Sequence, residues 1–504
     1  MTARPRSPSL SSDSLFNGLS FAVRAVFTVV GMAWVARELG PENQGRFGFA
    51  HWGGSILAQV TLLGLAPTTT RYVARALGGA RPAEAAAVVA LTGRWLLQAL
   101  AVAVPLALLA AALFGADLRS ALLLAALMPL PMSTYLWRIS LAWGLRRFDV
   151  AFKGHLVFFA VLLPGFWLGL QAPEPVLGVL LATLFARSVH AGAVWAWTRT
   201  LPAPEAPRPA FTADLRRYAW DMTGVTLVGA LLWERSELAV LKAWAPWHDV
   251  GLYTAAFGLS ALVIRVPSVL AVVLVPFVAE LQGAQKHAAV GQAFARGARL
   301  LSLALAGPTL VAAVTAPALV QVVYGDDYRG AVGPLQILLL PLALGGLGGA
   351  ASKTLVGTGE ARPLLRIEAV AVVVKLGLCL LLVPSMGALG AAIGCAVGQA
   401  GALLGAGISA AVRFAAPIRE GWGRQVLVAS MAAGSAAAVG AVAAAVGDPS
   451  VDVGPLAPQA LLALQIGAGA LGWLGGAALL RPLATGDVGQ RWPLLQRFER
   501  PHRP

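Results

Sequence analysis

Twelve ionisable side chains fall inside long apolar stretches of this chain, a place where polar chemistry is the usual reason for keeping them. The basic ones are Arg24, Arg94, Arg138, Arg187, Arg235, Arg265, Lys353 and Lys375; the acidic ones are Asp221, Glu234, Glu237 and Glu368. A charge at mid-bilayer costs at least ~2.5–3.5 kcal/mol, so it faces protein or a water-filled cavity unless it snorkels from a helix end. Snorkelling suits Arg138 and Lys353 and is an even alternative for Arg94, Arg235 and Asp221. It fits poorly for Arg24, Arg187, Arg265 and Lys375, which sit near the middle of their stretches. Across the first six stretches every such charge is positive, and all the acids lie in the second half. A guanidinium without a carboxylate in a low-dielectric cavity calls for an anion, and arginine grips phosphate through two parallel hydrogen bonds. The pattern therefore points to a cationic cavity for a phosphate-bearing substrate, with Arg24, Arg94, Arg187, Arg265, Lys375 and Arg235 as candidate ligands. Asp221, Glu234, Glu237 and Glu368 admit two roles. Glu234 and Glu237 form ion pairs with Arg265 or Lys375, the reading the pattern slightly favours, or one of them carries a coupling cation.

The elements that must position these groups follow from composition. The chain has 504 residues, 58% hydrophobic and 12% charged, and its mean hydropathy is +0.73. A soluble chain would carry about 25% charged residues. This composition excludes a soluble enzyme, a disulfide scaffold and a nucleic-acid-binding domain, despite a net charge of +15. At about 20 residues per span, fourteen membrane helices are expected, near 15–36, 47–69, 86–113, 121–143, 152–170, 175–197, 219–241, 250–279, 298–318, 332–356, 364–384, 388–412, 425–446 and 460–480. The run after Arg4 and Arg6 is too long for a signal sequence and reads as a retained first span. Connections on one side, with both tails, carry twenty-five Lys and Arg against five on the other, which places both termini in the cytoplasm.

The halves resemble each other. The first span leaves through Gly40-Pro41 and the chain re-enters after Gly45; the seventh leaves through Ala245-Pro246 and re-enters after Gly251. The expected layout is a cytoplasmic tail 1–14, an N-lobe 15–197, a Pro- and Arg-rich linker 198–217, a C-lobe 218–413, an appendix of two spans 424–481 and a cytoplasmic tail 482–504. Such repeats around a central cavity are a recurrent transporter plan.

Other motifs carry less. Gly348–Thr354 ends like a phosphate-binding loop, but Ser352 stands where glycine is required, and the segment is an apolar helix. Cys379 and Cys395 read as packing residues, and the six histidines are scattered without ligand spacing, so neither metal nor cofactor is expected. Coupling to H+ or Na+ stays open.

Ala36-Arg37-Glu38-Leu39-Gly40-Pro41-Glu42, Gly64-Leu65 with Arg71, Val250–Ala256, Tyr324-Gly325-Asp326-Asp327-Tyr328, Gly357-Thr358-Gly359 with Pro363, and Val383–Ile393 occur in order across residues 15–412. In these segments the chain resembles the polysaccharide-biosynthesis branch of the multidrug/oligosaccharidyl-lipid/polysaccharide (MOP) exporter superfamily, which includes the O-antigen flippases. The resemblance implies a flippase of polyprenyl-diphosphate-linked oligosaccharides in a bacterial inner membrane, serving lipopolysaccharide or exopolysaccharide assembly beside glycosyltransferases and a polymerase. Lys375 could itself supply the charge that a bound sodium would bring. Three rivals stand beside it. A peptidoglycan lipid precursor flippase shares the chemistry. A drug/cation antiporter of the multidrug-exporter (MATE) kind needs acids in the first six spans. A membrane-embedded glycan polymerase, ligase or acyltransferase usually carries a large polar outer loop or a catalytic His/Asp/Glu set, whereas the longest outer connection here, 447–459, is short and holds only Asp448 and Asp452. The expectation is a transporter, not an enzyme.

Overall fold

Glycine and proline set where the helices turn. The computed structural model describes residues 10–79, 81–113, 118–199, 209–271, 274–283, 285, 287–414, 437–438 and 457–479. The first helix, α1 (Leu10–Leu62), carries both of the first two expected spans and turns at Gly40, whose φ of +70° suits a residue without a Cβ. Pro41 follows and cannot donate to the preceding turn, so the helical ladder breaks there. Then come α2 (Leu65–Gly78), α3 (Pro82–Leu113), α4 (Arg119–Leu127), α5 (Pro129–Gly144), α6 (Asp149–Leu170) and α7 (Pro175–Trp197). The second half runs through α8 (Pro209–Trp233), α9 (Glu237–Trp244), α10 (Trp247–Ala271), α11 (Leu274–Gly283), α12 (His287–Val314) and α13 (Ala316–Tyr324). It closes with α14 (Val332–Leu339), α15 (Gly345–Gly357), α16 (Ala361–Arg413) and α17 (Ala457–Leu479).

No strand occurs among the described residues. Seven helical runs among them are long and apolar enough to cross a membrane, and the bent pair of late α1 with α2 makes an eighth. Runs that fold back on themselves count once in that total. In α16, Gly387 (φ +53°) reverses the chain, so that Gly394 faces Cys379 and Gly398 faces Lys375. The large side chains that α3 exposes, Leu97, Val102, Leu106, Leu109 and Leu113, are those lipid would cover. The chain is an all-α polytopic membrane protein, as expected.

Three boundaries differ from the sequence reading. Helix α8 starts at Pro209 inside the presumed linker. The seventh span is broken between Trp233 and Glu237, and the tenth is interrupted by a 3-10 segment, Leu340–Leu344, where Pro341 has no N–H to give. The expected span at 425–446 lies outside the described residues.

Packing divides the chain into two units: residues 1–262, 323–335 and 362–402 in one, and 263–322, 336–361 and 403–504 in the other. Within the first, the turns of the two halves touch backbone to backbone. Gly45 meets the Trp247 carbonyl and the Gly251 nitrogen, while Gly251 meets the Pro41 carbonyl. Around them the Tyr328 hydroxyl donates to the Ala36 carbonyl at 2.7 Å, Arg37 Nε donates to the Val323 carbonyl at 2.9 Å, and Tyr324 donates to Ala255 at 3.2 Å. Within the second unit, Trp473 of α17 donates to the Leu303 carbonyl of α12 at 3.1 Å.

Candidate substrate site

The first unit gathers arginines around a buried aromatic cluster. Arg187 on α7 lies over the Phe158 ring of α6 at 4.2 Å, and its Nε is buried without an acceptor. His190, one turn further along α7, is fully buried (0% exposed) and packs on Tyr135 of α5 with ring centroids 4.0 Å apart. Neither ring nitrogen of His190 has a hydrogen-bond partner. His155 on α6 sits 5.6 Å from His190, with Nδ1 2.8 Å from the Ser20 hydroxyl of α1 and Nε2 3.4 Å from the Tyr135 hydroxyl. Arg24, one turn beyond Ser20, is exposed, and with Arg187 it lies close enough to act electrostatically on His155 and Tyr135.

The belt continues along late α1. His51 lies within electrostatic reach of both Arg187 and Arg235. Arg235, at the break in the seventh span, stands 5.6 Å over the Phe257 ring and near Tyr324. Among the described residues no carboxylate comes within 4.0 Å of Arg24, Arg187 or Arg235. Such a belt can hold an oxyanion of two or more charges.

Lys375 is placed otherwise, which corrects its assignment as a free cation of the cavity. It is 0% exposed, its Nζ is 2.6 Å from Glu237 Oε2, and Glu237 is equally buried. The ammonium donates to the carbonyls of Leu231, Leu232 and Glu234 at 3.1, 3.0 and 3.1 Å. The contact with Oε2 is the shortest of the four that the ammonium makes, a charge-assisted one. Tyr253 donates its hydroxyl to the other oxygen, Glu237 Oε1. Lysine thus fills the gap in the seventh span, satisfying carbonyls that a continuous helix would have paired internally.

The remaining candidates lie apart. Arg94 is exposed on α3, and Asp221 and Glu234 are exposed on or just after α8. Glu368 is buried and accepts from Trp233 Nε1 at 3.3 Å. The side chain of Arg265 lies outside the described residues. Lys353 is half-buried. Arg138 is 8% exposed and packs on the rings of Trp137 at 4.5 Å and Trp195 at 3.5 Å, which stand edge to face with each other. Two indole rings stabilise the guanidinium where it stands.

Sequence reasoning missed the histidines. Half of the chain's six, His51, His155 and His190, surround the arginine belt. Their signal was an imidazole inside an apolar span, which is as unusual there as the lysines and acids that were counted.

A family profile described as polysaccharide biosynthesis protein matches residues 11–282, more than half of the chain. The chain belongs to this family. No curated protein sequence matches it. Solved structures share the fold of this polysaccharide biosynthesis protein. An inward closed lipid II flippase MurJ is 12% identical with a TM-score of 0.71, covering 93% of this chain and 99% of its own. An inward-facing MATE multidrug resistance transporter of the MOP superfamily is 16% identical with a TM-score of 0.63, covering 79% and 98%. A MOP superfamily transporter from Pyrococcus furiosus, described as having a binding pocket of reversed polarity, is 18% identical with a TM-score of 0.56, covering 80% and 94%. The family read from the motifs, polysaccharide biosynthesis, is thereby shown, and the solved structures share its fold.

Proposed function

We propose that this polysaccharide biosynthesis protein flips polyprenyl-diphosphate-linked oligosaccharides from the cytoplasmic to the outer leaflet of a bacterial inner membrane. The reading is carried by one observation: Arg24 and Arg187 face a common buried cluster with no carboxylate near them among the described residues, and Arg235 extends the belt. A diphosphate diester carries the two negative charges that such a belt lacks, and guanidinium groups bind it bidentately. Both termini lie in the cytoplasm on the charge pattern. The halves 15–197 and 218–413 rock in alternating access, the lipid tail stays in the bilayer, and the headgroup leaves on the outer side. No bond is made or broken, and the partners are the glycosyltransferases and polymerase of the same pathway.

The test is transport of a lipid-linked oligosaccharide by the purified protein in vesicles. Hydrogen bonds to charged groups are worth about 1.5–3 kcal/mol, so Arg24→Ala and Arg187→Ala should each lower transport by roughly 10- to 150-fold with unchanged expression. Full transport by both variants rejects the assignment. Complementation separates the pathways. Rescue of cells lacking their peptidoglycan precursor flippase, without rescue of polysaccharide export, would replace the oligosaccharide by that precursor.

A further inference from the structure

Resting on the diphosphate reading, we infer that His155 and His190 form a proton site that fills together with the anion: docking of a diphosphate on Arg24 and Arg187 draws one proton onto the imidazole pair. The pair is built rather than incidental. Its rings are 5.6 Å apart, both are buried, and no nitrogen of His190 has a partner. A neutral imidazole has one N–H and one bare nitrogen, and leaving both unpaired in the interior is costly, so this residue is kept for something other than packing. His155 is arranged to accept either charge state. Its two nitrogens meet the hydroxyls of Ser20 and Tyr135, and a hydroxyl can donate or accept by rotating.

The charges that face the pair come from every helix packed on it. Helix α1 brings Arg24, α5 brings Tyr135, and α7 brings Arg187 beside His190 itself. The short α4, which also lies against α7, has Arg119 as its one ionisable side chain, exposed at the helix start. None of these is an acid. An imidazolium here would stand against two like charges until an anion answered them. A diphosphate diester brings two negative charges, one for each guanidinium, so anion and proton assist each other's binding, and the assistance is reciprocal.

The experiment is calorimetry of the full-length protein in detergent with a short-chain dialkyl diphosphate, a diester with no proton of its own to exchange near neutrality. Titrations in two buffers of different ionisation enthalpy count the protons taken up, at about pH 6, 7 and 8. By linkage the protons taken up equal the fall of log affinity per pH unit, so the wild type is expected to take up close to one proton per diphosphate in the same pH range where its binding weakens about tenfold per unit, and uptake and slope should vanish together where the bound pair no longer holds the proton. His155→Gln with His190→Gln should bind without uptake and without that slope. Binding by the wild type with no proton uptake at any pH overturns the proton site while leaving the diphosphate reading intact, and needs no variant to fold. Uptake unchanged in the double variant also overturns it. No binding of the diester at any pH overturns the diphosphate reading itself.

Discussion

Replacing Lys375 by Met removes an ammonium from a place with no water to substitute for it. Both Lys375 and Glu237 are fully buried, 2.6 Å apart, so the variant leaves a carboxylate with only Tyr253 to bond to. Breaking a buried pair from one side costs about 3–5 kcal/mol, and the stranded carbonyls of Leu231, Leu232 and Glu234 add to that cost. For a chain this large, the loss should appear as a fall in melting temperature on the order of 5–10 °C, read by tryptophan fluorescence in detergent. Removing the second charge as well, in Lys375→Met with Glu237→Gln, should recover part of the loss, because a neutral buried pair no longer holds an unmatched charge. Two results would refute the reasoning. One is a Lys375→Met protein that melts with the wild type but loses transport, as expected of a free cation in the substrate path. The other is a double variant whose loss equals the sum of the single ones.

Other consequences are as direct. Gly251→Val sets a side chain against the Pro41 carbonyl and should destabilise the turn by about 1–3 kcal/mol, visible as new reactivity of cysteines introduced beside Gly45 and Trp247. Arg138→Gln forfeits two indole rings and should cost about 1–2 kcal/mol in thermal unfolding, with Arg138→Lys recovering only part. Trp137→Phe keeps an aromatic ring but loses the bond from its indole nitrogen to Thr92, 3.0 Å long, and leaves a cavity in a buried cluster, together about 2–3 kcal/mol by the same measurement. Arg235→Gln should weaken diphosphate binding by roughly tenfold without altering proton uptake, since it stands away from His155 and His190.

Sequence alone determined the membrane class, most of the helices and their turns. Transfer of a side chain into lipid is a local cost that sums along the chain, and a break such as Gly40-Pro41 acts through its own backbone. It also picked out Arg24 and Arg187, because a charge inside an apolar run is unusual whatever surrounds it. Only the tertiary structure decided which charges are answered. Lys375 and Arg187 look alike in sequence, each a lone cation in mid-span. One meets Glu237 across a broken helix and the other meets only rings. The break at Glu234–Ser236, the packing of Arg138 on the Trp195 ring and the meeting of His155 with His190 share that origin. Each depends on helices distant in sequence packing side by side, and pairing energy falls off over a few ångströms of space, a distance that order along the chain does not encode.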